Sequence, residues 1–213
     1  MISSLSRHLV LAAALAAALP TVSFAQTAPA RPAEAAPATD TLTAQEREVL
    51  AIADQLASET SQILEQWVLS QAISEDRLLS RMYYPIAKTD PLKWTTPYDA
   101  LADRDLPGPE DRALARSLLF QYAILTDLNG YVPAHNTRFS QPLTGNRAQD
   151  YTNNRSKRLL PDPASFIAGH SESRFLIQRT HNEAGDLIYD LSVPVYVRGK
   201  HWGCVRIGYR RTE

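Results

Sequence analysis

The chain has 213 residues, of which 44% are hydrophobic and 21% are charged, so a core of ordinary size can form. Its 22 Lys and Arg residues nearly balance its 23 Asp and Glu residues, and a formal net charge of −1 gives no electrostatic case for binding nucleic acid. The single Cys204 excludes a disulfide within the chain, and we expect it to be a small buried side chain in a strand.

Residues 1–25 have the pattern of a secretory signal peptide. Arg7 and His8 precede an apolar run from Leu9 to Leu19, and Ser23-Phe24-Ala25 ends the segment like a cleavage site. The run is shorter than the roughly 20 apolar residues that span a membrane. We therefore expect cleavage and export rather than an N-terminal membrane anchor.

Residues 26–41 are rich in Ala and Pro, contain no aromatic residue and show no periodicity. Such a tract cannot bury enough apolar surface to offset the entropy lost on ordering, so we expect a disordered linker. The remaining residues, 42–213, have the length of one ordinary domain.

Apolar residues recur at helical spacing from Thr43 to about residue 70, without an interrupting Gly or Pro. Thr43 and Glu46 have the spacing of a capping box, which predicts where this helix begins. The apolar stripe is not a clean heptad, so we expect the helix to cover a sheet rather than to form a coiled coil. A homodimer through this helix stays open as an alternative.

Residues 71–118 predict an irregular segment between two short helices. The first helix is expected at roughly 75–81. Aromatic residues between prolines then favour an ordered loop that packs on the body of the protein. The second helix is expected from Glu110 to Leu118, with Pro109 near its start.

A strand-like run from Phe120 to Thr126 meets a turn of Asp, Asn and Gly residues. Asn129 and the glycine after it tolerate positive φ, so this turn and the extended run after it predict a β-hairpin. Asp127 and Asn129 are expected to shape the turn rather than to bind a ligand. The second arm ends in the polar pair His135 and Asn136.

Three further strands are expected after a mostly polar helical region, at Phe175–Thr180, Leu187–Val197 and His201–Arg210. Pro194 lacks an N–H group, which favours an edge or a bulge at that point. The pattern predicts an α+β fold: a five-stranded antiparallel sheet with a long N-terminal helix and a helical crossover between strands 2 and 3.

Alternation along the last strand places Trp202, Cys204 and Arg206 on one face of the sheet. An arginine in mid-strand is costly to bury without a partner. We expect Arg206 to form an ion pair with Asp190 on the neighbouring strand, which would fix the register of the two strands.

Several phrases in this sequence also occur in one known family, in the same order and with the same spacing. They are Asp127-x-Asn129-Gly130-Tyr131-x-Pro133-x-His135-Asn136, Pro142-Leu143-Thr144-Gly145, Asp150-x-x-x-Asn154-Arg155-x-Lys157-Arg158, Asp190-Leu191-Ser192-Val193-Pro194 and His201-Trp202-Gly203-x-x-Arg206-x-Gly208-Tyr209. The part of the chain from about residue 80 to residue 213 resembles the periplasmic, single-Cache, PAS-like sensory domain of bacterial methyl-accepting chemotaxis proteins. The resemblance implies a PAS/Cache-like fold, a periplasmic location and recognition of a small molecule rather than catalysis.

Chemoreceptors of this type continue into a membrane span, a HAMP linker and a cytoplasmic signalling rod. Here the last strand ends close to Glu213. We therefore expect a detached sensory module, whose signalling would need a partner such as a membrane receptor.

His135 and Asn136 are the first candidates for ligand binding, because both side chains donate and accept hydrogen bonds. A buried pair that satisfies backbone groups is an equal alternative. Tyr131 and Tyr189 could line a pocket, although a place in the core is favoured for both.

Arg155 and Arg158 lie in the expected crossover and, at helical spacing, on one face. An arginine that points into a pocket suits a carboxylate or a phosphate. Ion pairs with Asp150 or Asp162 are the structural alternative, and Lys157 is expected to point into solvent.

Enzyme motifs are missing from the sequence: it has no Gly-rich phosphate loop, no HExxH and no GxSxG. The histidines are scattered, so no metal site and no cofactor are expected. The sequence thus predicts an exported small-molecule-binding sensory domain that is not an enzyme. Two alternatives stay open: a structural or interaction module with a vestigial pocket, and a sensor that binds haem non-covalently through His135.

Overall fold

The computed structural model describes residues 41–182 and 185–212. The expected signal peptide and nearly all of the expected linker lie outside the described residues. The helices are α1 (Ala44–Leu69), α2 (Glu75–Leu78), α3 (Asp99–Asp105), α4 (Pro107–Leu114), a short 3-10 helix (Thr137–Phe139), α5 (Arg147–Asn153) and α6 (Pro163–His170). The strands are β1 (Tyr84–Ile86), β2 (Lys93–Thr95), β3 (Phe120–Asp127), β4 (Tyr131–Val132), β5 (Arg158–Leu159), β6 (Leu176–His181), β7 (Leu187–Val197) and β8 (Lys200–Tyr209).

Four strands form the main sheet, which is antiparallel throughout and has the order β3-β8-β7-β6. β1 pairs with β2 and β4 pairs with β5 in two small sheets outside it. The predicted α+β class, with a long N-terminal helix and antiparallel pairing, is confirmed. Within the described ranges, no helix is both long and apolar enough to cross a membrane.

Helix α1 begins at the predicted capping box. The Thr43 hydroxyl accepts from the Glu46 N–H at 3.1 Å, and the Glu46 carboxylate accepts from the Thr43 N–H at 2.8 Å. The buried stripe of α1, which includes Leu56 and Leu64, packs on β7, β8 and α4. Each fully buried apolar side chain of this kind contributes roughly 1.5–3 kcal/mol. The helix is therefore the cover of a sheet, as predicted, and its apolar stripe is occupied within the chain.

The main sheet has four strands instead of the expected five, because β3 and β4 do not form a hairpin. Gly130 adopts the expected positive φ, +76°, but the turn directs Tyr131–Val132 away to pair with Leu159 and Arg158. On the open side of β3, the Asn136 Oδ1 accepts from the Ala123 N–H at 2.9 Å, and the Glu110 Oε1 accepts from the Leu125 N–H at 3.0 Å. Side chains thus occupy the place that a fifth strand would take.

A bulge in β8 corrects the expected placement of Trp202. Val195 faces Gly203 and Tyr196 faces His201, so Trp202 is an extra residue that opposes neither. The Trp202 ring therefore joins the core and lies edge-on to Tyr98, with ring centroids 5.5 Å apart, instead of sharing a face with Cys204 and Arg206.

Pro194 lies where the sequence placed an edge or a bulge. β6 pairs with β7 only as far as Ser192, so Pro194 has β8 on one side alone, and the register shift comes next, at Val195/Tyr196. Cys204 is fully buried in β8, as expected, and burial raises the pKa of its thiol to about 11.

The two faces of the main sheet carry different covers. Helix α1 packs on the face that presents Leu191, Val205 and Ile207. The long connection between β3 and β6, which contains β4, α5, β5 and α6, covers the other face, and α6 contacts both β8 and β6. A cavity lies beneath this second cover.

Candidate functional site

The cavity has a volume of about 480 Å³ and lies between the main sheet and the β3–β6 connection. β3, β7 and β8 supply its floor, through Tyr122, Ile124, Ile188 and Arg206. These positions alternate with core residues along each strand, so they face away from α1. The volume lies in the range of small-molecule sites.

A buried ion pair lies at the floor of the cavity. The Arg206 Nε donates to the Asp190 Oδ2 at 2.9 Å, and a second guanidinium N–H contacts the same oxygen, which confirms the predicted cross-strand pair. The Tyr122 hydroxyl donates to this oxygen at 2.8 Å. Burial lowers the pKa of Arg206, but attraction to Asp190, Tyr122 and Cys204 and the hydrogen bond to Asp190 together raise it, so the guanidinium stays charged.

The ion pair extends toward the cover of the cavity. Arg206 Nη1 donates to the Ser165 hydroxyl at 2.6 Å, and that hydroxyl donates to the Asp162 carboxylate at 2.6 Å. Asp162 caps the N-terminus of α6, because it also accepts from the Ser165 N–H at 2.8 Å. The floor and α6 are thereby fixed to each other. Asp190 Oδ1 stays without a hydrogen-bond partner among the described residues.

His135 lines the cavity and is only 4% exposed. Its ring is edge-on to Phe139, with centroids 5.1 Å apart, and its buried Nδ1 has no hydrogen-bond partner in the described part of the chain. Burial, followed by repulsion from cationic side chains, lowers the pKa of His135 to about 3. Those cations are Arg155, Arg138, Arg158 and Lys93. At neutral pH the ring is therefore uncharged, with one donor and one acceptor nitrogen.

Arg155 and Arg158 line the same cavity, although not for the reason that the sequence suggested. Helix α5 ends at Asn153, so the two arginines do not share a helix face. A left-handed residue between them, Lys157 with φ +61°, turns the chain instead. The Arg155 guanidinium lies 4.5 Å from the centre of the Phe139 ring.

The guanidinium of Arg158 is held by the end of α5. Its Nη2 donates to the carbonyl oxygens of Asp150, Tyr151 and Asn154, at 3.1, 2.8 and 2.6 Å. It also lies 4.6 Å from the centre of the Tyr151 ring. Carbonyls at a helix C-terminus favour a cation, so this part of the chain fixes a positive charge at the cavity wall.

The structure places three other predicted ligand-binding residues outside this cavity. Asn136 is fully buried and supports the open edge of β3. The Tyr131 hydroxyl donates to the Asp99 carboxylate at 2.9 Å, within the core. Tyr189 lies on the opposite face of the sheet, where its ring packs on Tyr209 with centroids 5.8 Å apart.

Two further expectations concern charged side chains near the site. The Asp127 carboxylate shapes its turn, as predicted, because its Oδ1 accepts from the N–H groups of Asn129 and Tyr131, both at 2.9 Å. Lys157 was expected in solvent, but its side chain is 13% exposed and its ammonium donates to Asp103 at 2.7 Å. The left-handed turn at Lys157 directs this side chain back onto α3.

Sequence reasoning missed much of the cavity wall. Tyr122 and Ile188 could have been found from alternation along their strands. Tyr122 is two residues from Ile124, and Ile188 is two residues from Asp190, so each shares a sheet face with a residue at the cavity floor. Phe139, Tyr151 and Ser165 come from the crossover, where no period marks the inward face. Within the described residues, no three His, Cys, Asp or Glu side chains converge as a metal site would require.

Comparisons with known proteins give little further guidance. No protein-family model matches the chain, and no curated protein is significantly similar to it. A solved structure, an extracellular ligand-binding receptor from Desulfohalobium retbaense DSM5692, aligns with 79% of this chain at 13% identity and a TM-score of 0.36. This chain covers 26% of that receptor. A likeness of this degree indicates neither a function nor a ligand for this chain.

Proposed function

We propose that this protein is an exported small-molecule-binding sensory domain whose ligand is a small organic anion. The observation that carries the proposal is the wall of the cavity, where a buried imidazole lies beside two guanidinium groups and its Nδ1 has no partner among the described residues. Polar groups buried in this way are normally satisfied, so His135 Nδ1 is suited to a hydrogen bond with a ligand.

The electrostatics of the wall support an anion. Arg155, Arg158 and Lys93 all lower the pKa of His135, which means that the potential at its ring is positive. An uncharged His135 can donate from Nδ1 to a carboxylate, while a planar guanidinium binds the same group through parallel hydrogen bonds.

The remaining wall supports a ligand with a carbon skeleton. Ile124, Val132, Leu160 and Ile188 line the cavity beside the polar groups. Sites of this volume are mostly apolar, with a few polar groups that fix the orientation of the ligand. A carboxylate attached to an aliphatic or aromatic body fits this distribution better than inorganic phosphate does.

The sensory and exported parts of the proposal rest on the sequence. The pattern of residues 1–25 supports export, and the ordered phrases between Asp127 and Tyr209 support kinship with periplasmic single-Cache domains. A membrane receptor is then the partner that would carry the signal, since binding to this domain alone changes only its own stability and shape.

A thermal-shift screen of the purified protein tests the proposal. Benzoate and hexanoate are compared with their neutral amides, benzamide and hexanamide, and with hexylamine. We expect the carboxylates to raise the melting temperature, because a ligand that binds only the native state stabilises it. The amides should have little effect, because they lack the negative charge that the arginines of the cavity wall would bind. Calorimetric titration then gives the affinity of each compound that shifts the transition.

Two outcomes would replace the proposal. If no compound shifts the transition and the protein purifies with a stoichiometric protein partner, it is an interaction module with a vestigial pocket. If the purified protein has a Soret band that disappears in His135→Ala, the cavity holds haem. A cell fractionation that finds the protein in the cytoplasm would contradict export.

A further inference from the structure

Lys93 is a buried lysine outside the cavity wall. It lies in β2 and is 4% exposed. Its ammonium donates to the Ser156 carbonyl at 2.5 Å and to the Asn154 side-chain oxygen, and its distance to the Asn154 carbonyl is 3.5 Å. All of these acceptors belong to residues 154–157, which link α5 to β5. Arg155 lies in this segment, and Arg158 follows it as the first residue of β5.

The segment Asn154–Arg158 has no regular structure before β5 and needs outside support. The Arg155 N–H donates to the Phe139 carbonyl at 2.7 Å, and the Lys157 N–H donates to the Val132 carbonyl at 2.7 Å. Lys157 has φ +61°, a conformation that side-chain-bearing residues adopt only where the surroundings hold them. Strand β2 adds two more contacts, since the Lys93 ammonium donates to the Ser156 carbonyl and the Trp94 N–H donates to the Lys157 carbonyl at 2.8 Å.

The Lys93 side chain is charged at neutral pH. Burial, followed by repulsion from Arg158 and Lys157 and opposed by Asp150, lowers its pKa to about 8. A charged donor makes stronger hydrogen bonds than a neutral one, so the ammonium holds oxygens on two residues of the segment at once. Without it, the Asn154 and Ser156 oxygens would be left buried with fewer donors.

We propose that Lys93 is a positioning residue: it holds Asn154–Arg158 in the conformation that brings Arg155 and Arg158 to one cavity. This inference rests on the proposed function for its consequence in ligand binding. Lys93 acts through the arginines, since it does not itself line the cavity. The Asn154 carbonyl makes the connection direct, because it accepts from both the Lys93 ammonium and the Arg158 guanidinium.

Hydrogen exchange without any ligand tests the positioning step. In Lys93→Met we expect protection of the Arg155 and Lys157 N–H groups to fall on the order of tenfold or more, as for the loss of a charged hydrogen bond. Protection in β7 and β8 should stay unchanged. Lys88→Met, which removes an exposed lysine outside both regions, is the matched control and should leave both of them unchanged.

Unchanged protection of these two N–H groups in folded Lys93→Met would overturn the inference. If Lys93→Met does not fold, Asn154→Ala removes an acceptor from the other side of the same contact, and the same loss of protection is expected. Lys93→Arg keeps the positive charge and should restore protection at least in part.

A double-mutant cycle with benzoate as the probe tests the consequence for binding. If Lys93 acts through Arg158, the losses of affinity in Lys93→Met and Arg158→Gln are not additive, and the double variant binds about as weakly as Arg158→Gln alone. Fully additive losses would contradict an action through Arg158. If benzoate does not bind the wild-type protein, the proposed ligand class fails, whereas the exchange experiment still decides the role of Lys93.

Discussion

The two faces of the main sheet are built from alternate residues of the same strands, yet they differ in almost every physical property. Val205 and Ile207 face α1 in a continuous apolar core, while Arg206, between them, faces the cavity in an ionised network. The first face is largely apolar, although the Tyr209 hydroxyl is buried there without a partner among the described residues. The second face carries charged side chains, and two buried atoms beside it, Asp190 Oδ1 and His135 Nδ1, also lack partners in the described part of the chain. The first face therefore stabilises the fold, and the second is the one that the proposed ligand would contact.

The largest expected effect comes from breaking the ion pair of the cavity face. Arg206→Met leaves the Asp190 carboxylate buried and uncompensated, so we expect the free energy of unfolding to fall by about 3–5 kcal/mol. Denaturant unfolding measures this change. Adding Asp190→Asn should recover a substantial part of it. A double variant no more stable than Arg206→Met would show that packing, rather than charge, explains the loss.

A matching substitution on the apolar face should separate stability from binding. Leu191→Ala removes a fully buried side chain from the core beneath α1, and we expect a loss of about 3 kcal/mol in the free energy of unfolding. Affinity for carboxylates should stay within twofold or so, because Leu191 does not reach the cavity. A large loss of affinity would mean that the two faces are energetically coupled.

The stability of the protein should depend on pH through Glu110, whose carboxyl group lies at the open edge of β3. Burial raises the pKa of this carboxyl group to about 8, above its ordinary value of 4.5. The native state therefore binds more protons than the unfolded chain between these values, and its stability falls as pH rises from 4.5 to 8. Glu110→Gln should remove this decrease, which is on the order of 4 kcal/mol for a pKa difference of this size. Thermal unfolding of both proteins across this pH range provides the measurement, and parallel curves would place the titration elsewhere.

The smallest effect is expected at the wall of the cavity face. Arg155→Gln should weaken benzoate binding about tenfold, or 1.4 kcal/mol, while the free energy of unfolding changes by less than about 0.5 kcal/mol. Arg138→Gln is the control, because Arg138 also lies over the Phe139 ring and lowers the pKa of His135, but does not line the cavity. Equal losses in both variants would mean that the positive field, and not a direct contact, attracts the anion.

The parts of this structure that repeat a period could be predicted from the sequence, and the parts that depend on single long-range contacts could not. Helix α1 and strands β7 and β8 are predictable from their spacing, and the Arg206–Asp190 pair is predictable from alternation. The pairing of β4 with β5 involves only two residues on each side, which is too short for a pattern. Nothing local in the sequence shows that Glu110 and Asn136 would take the place of a fifth strand.

The candidate site was predicted only in part for a related reason. His135, Arg155 and Arg158 do meet at one cavity, but the arginines do so through a left-handed turn rather than a helix face. Lys93, more than 60 residues away along the chain from the segment it contacts, carries no sequence signal of its role. Such positions are set by the tertiary structure and not by any local pattern in the sequence.

The side chains that occupy the open edge of β3 also affect how readily copies of this protein aggregate. An edge strand with unused N–H groups can add a strand from another molecule and so start aggregation. Asn136 and Glu110 already accept from the outward N–H groups of Ala123 and Leu125. A strand of a second copy would have to displace two buried side chains before it could pair there. The missing fifth strand is thus replaced by a barrier to self-association.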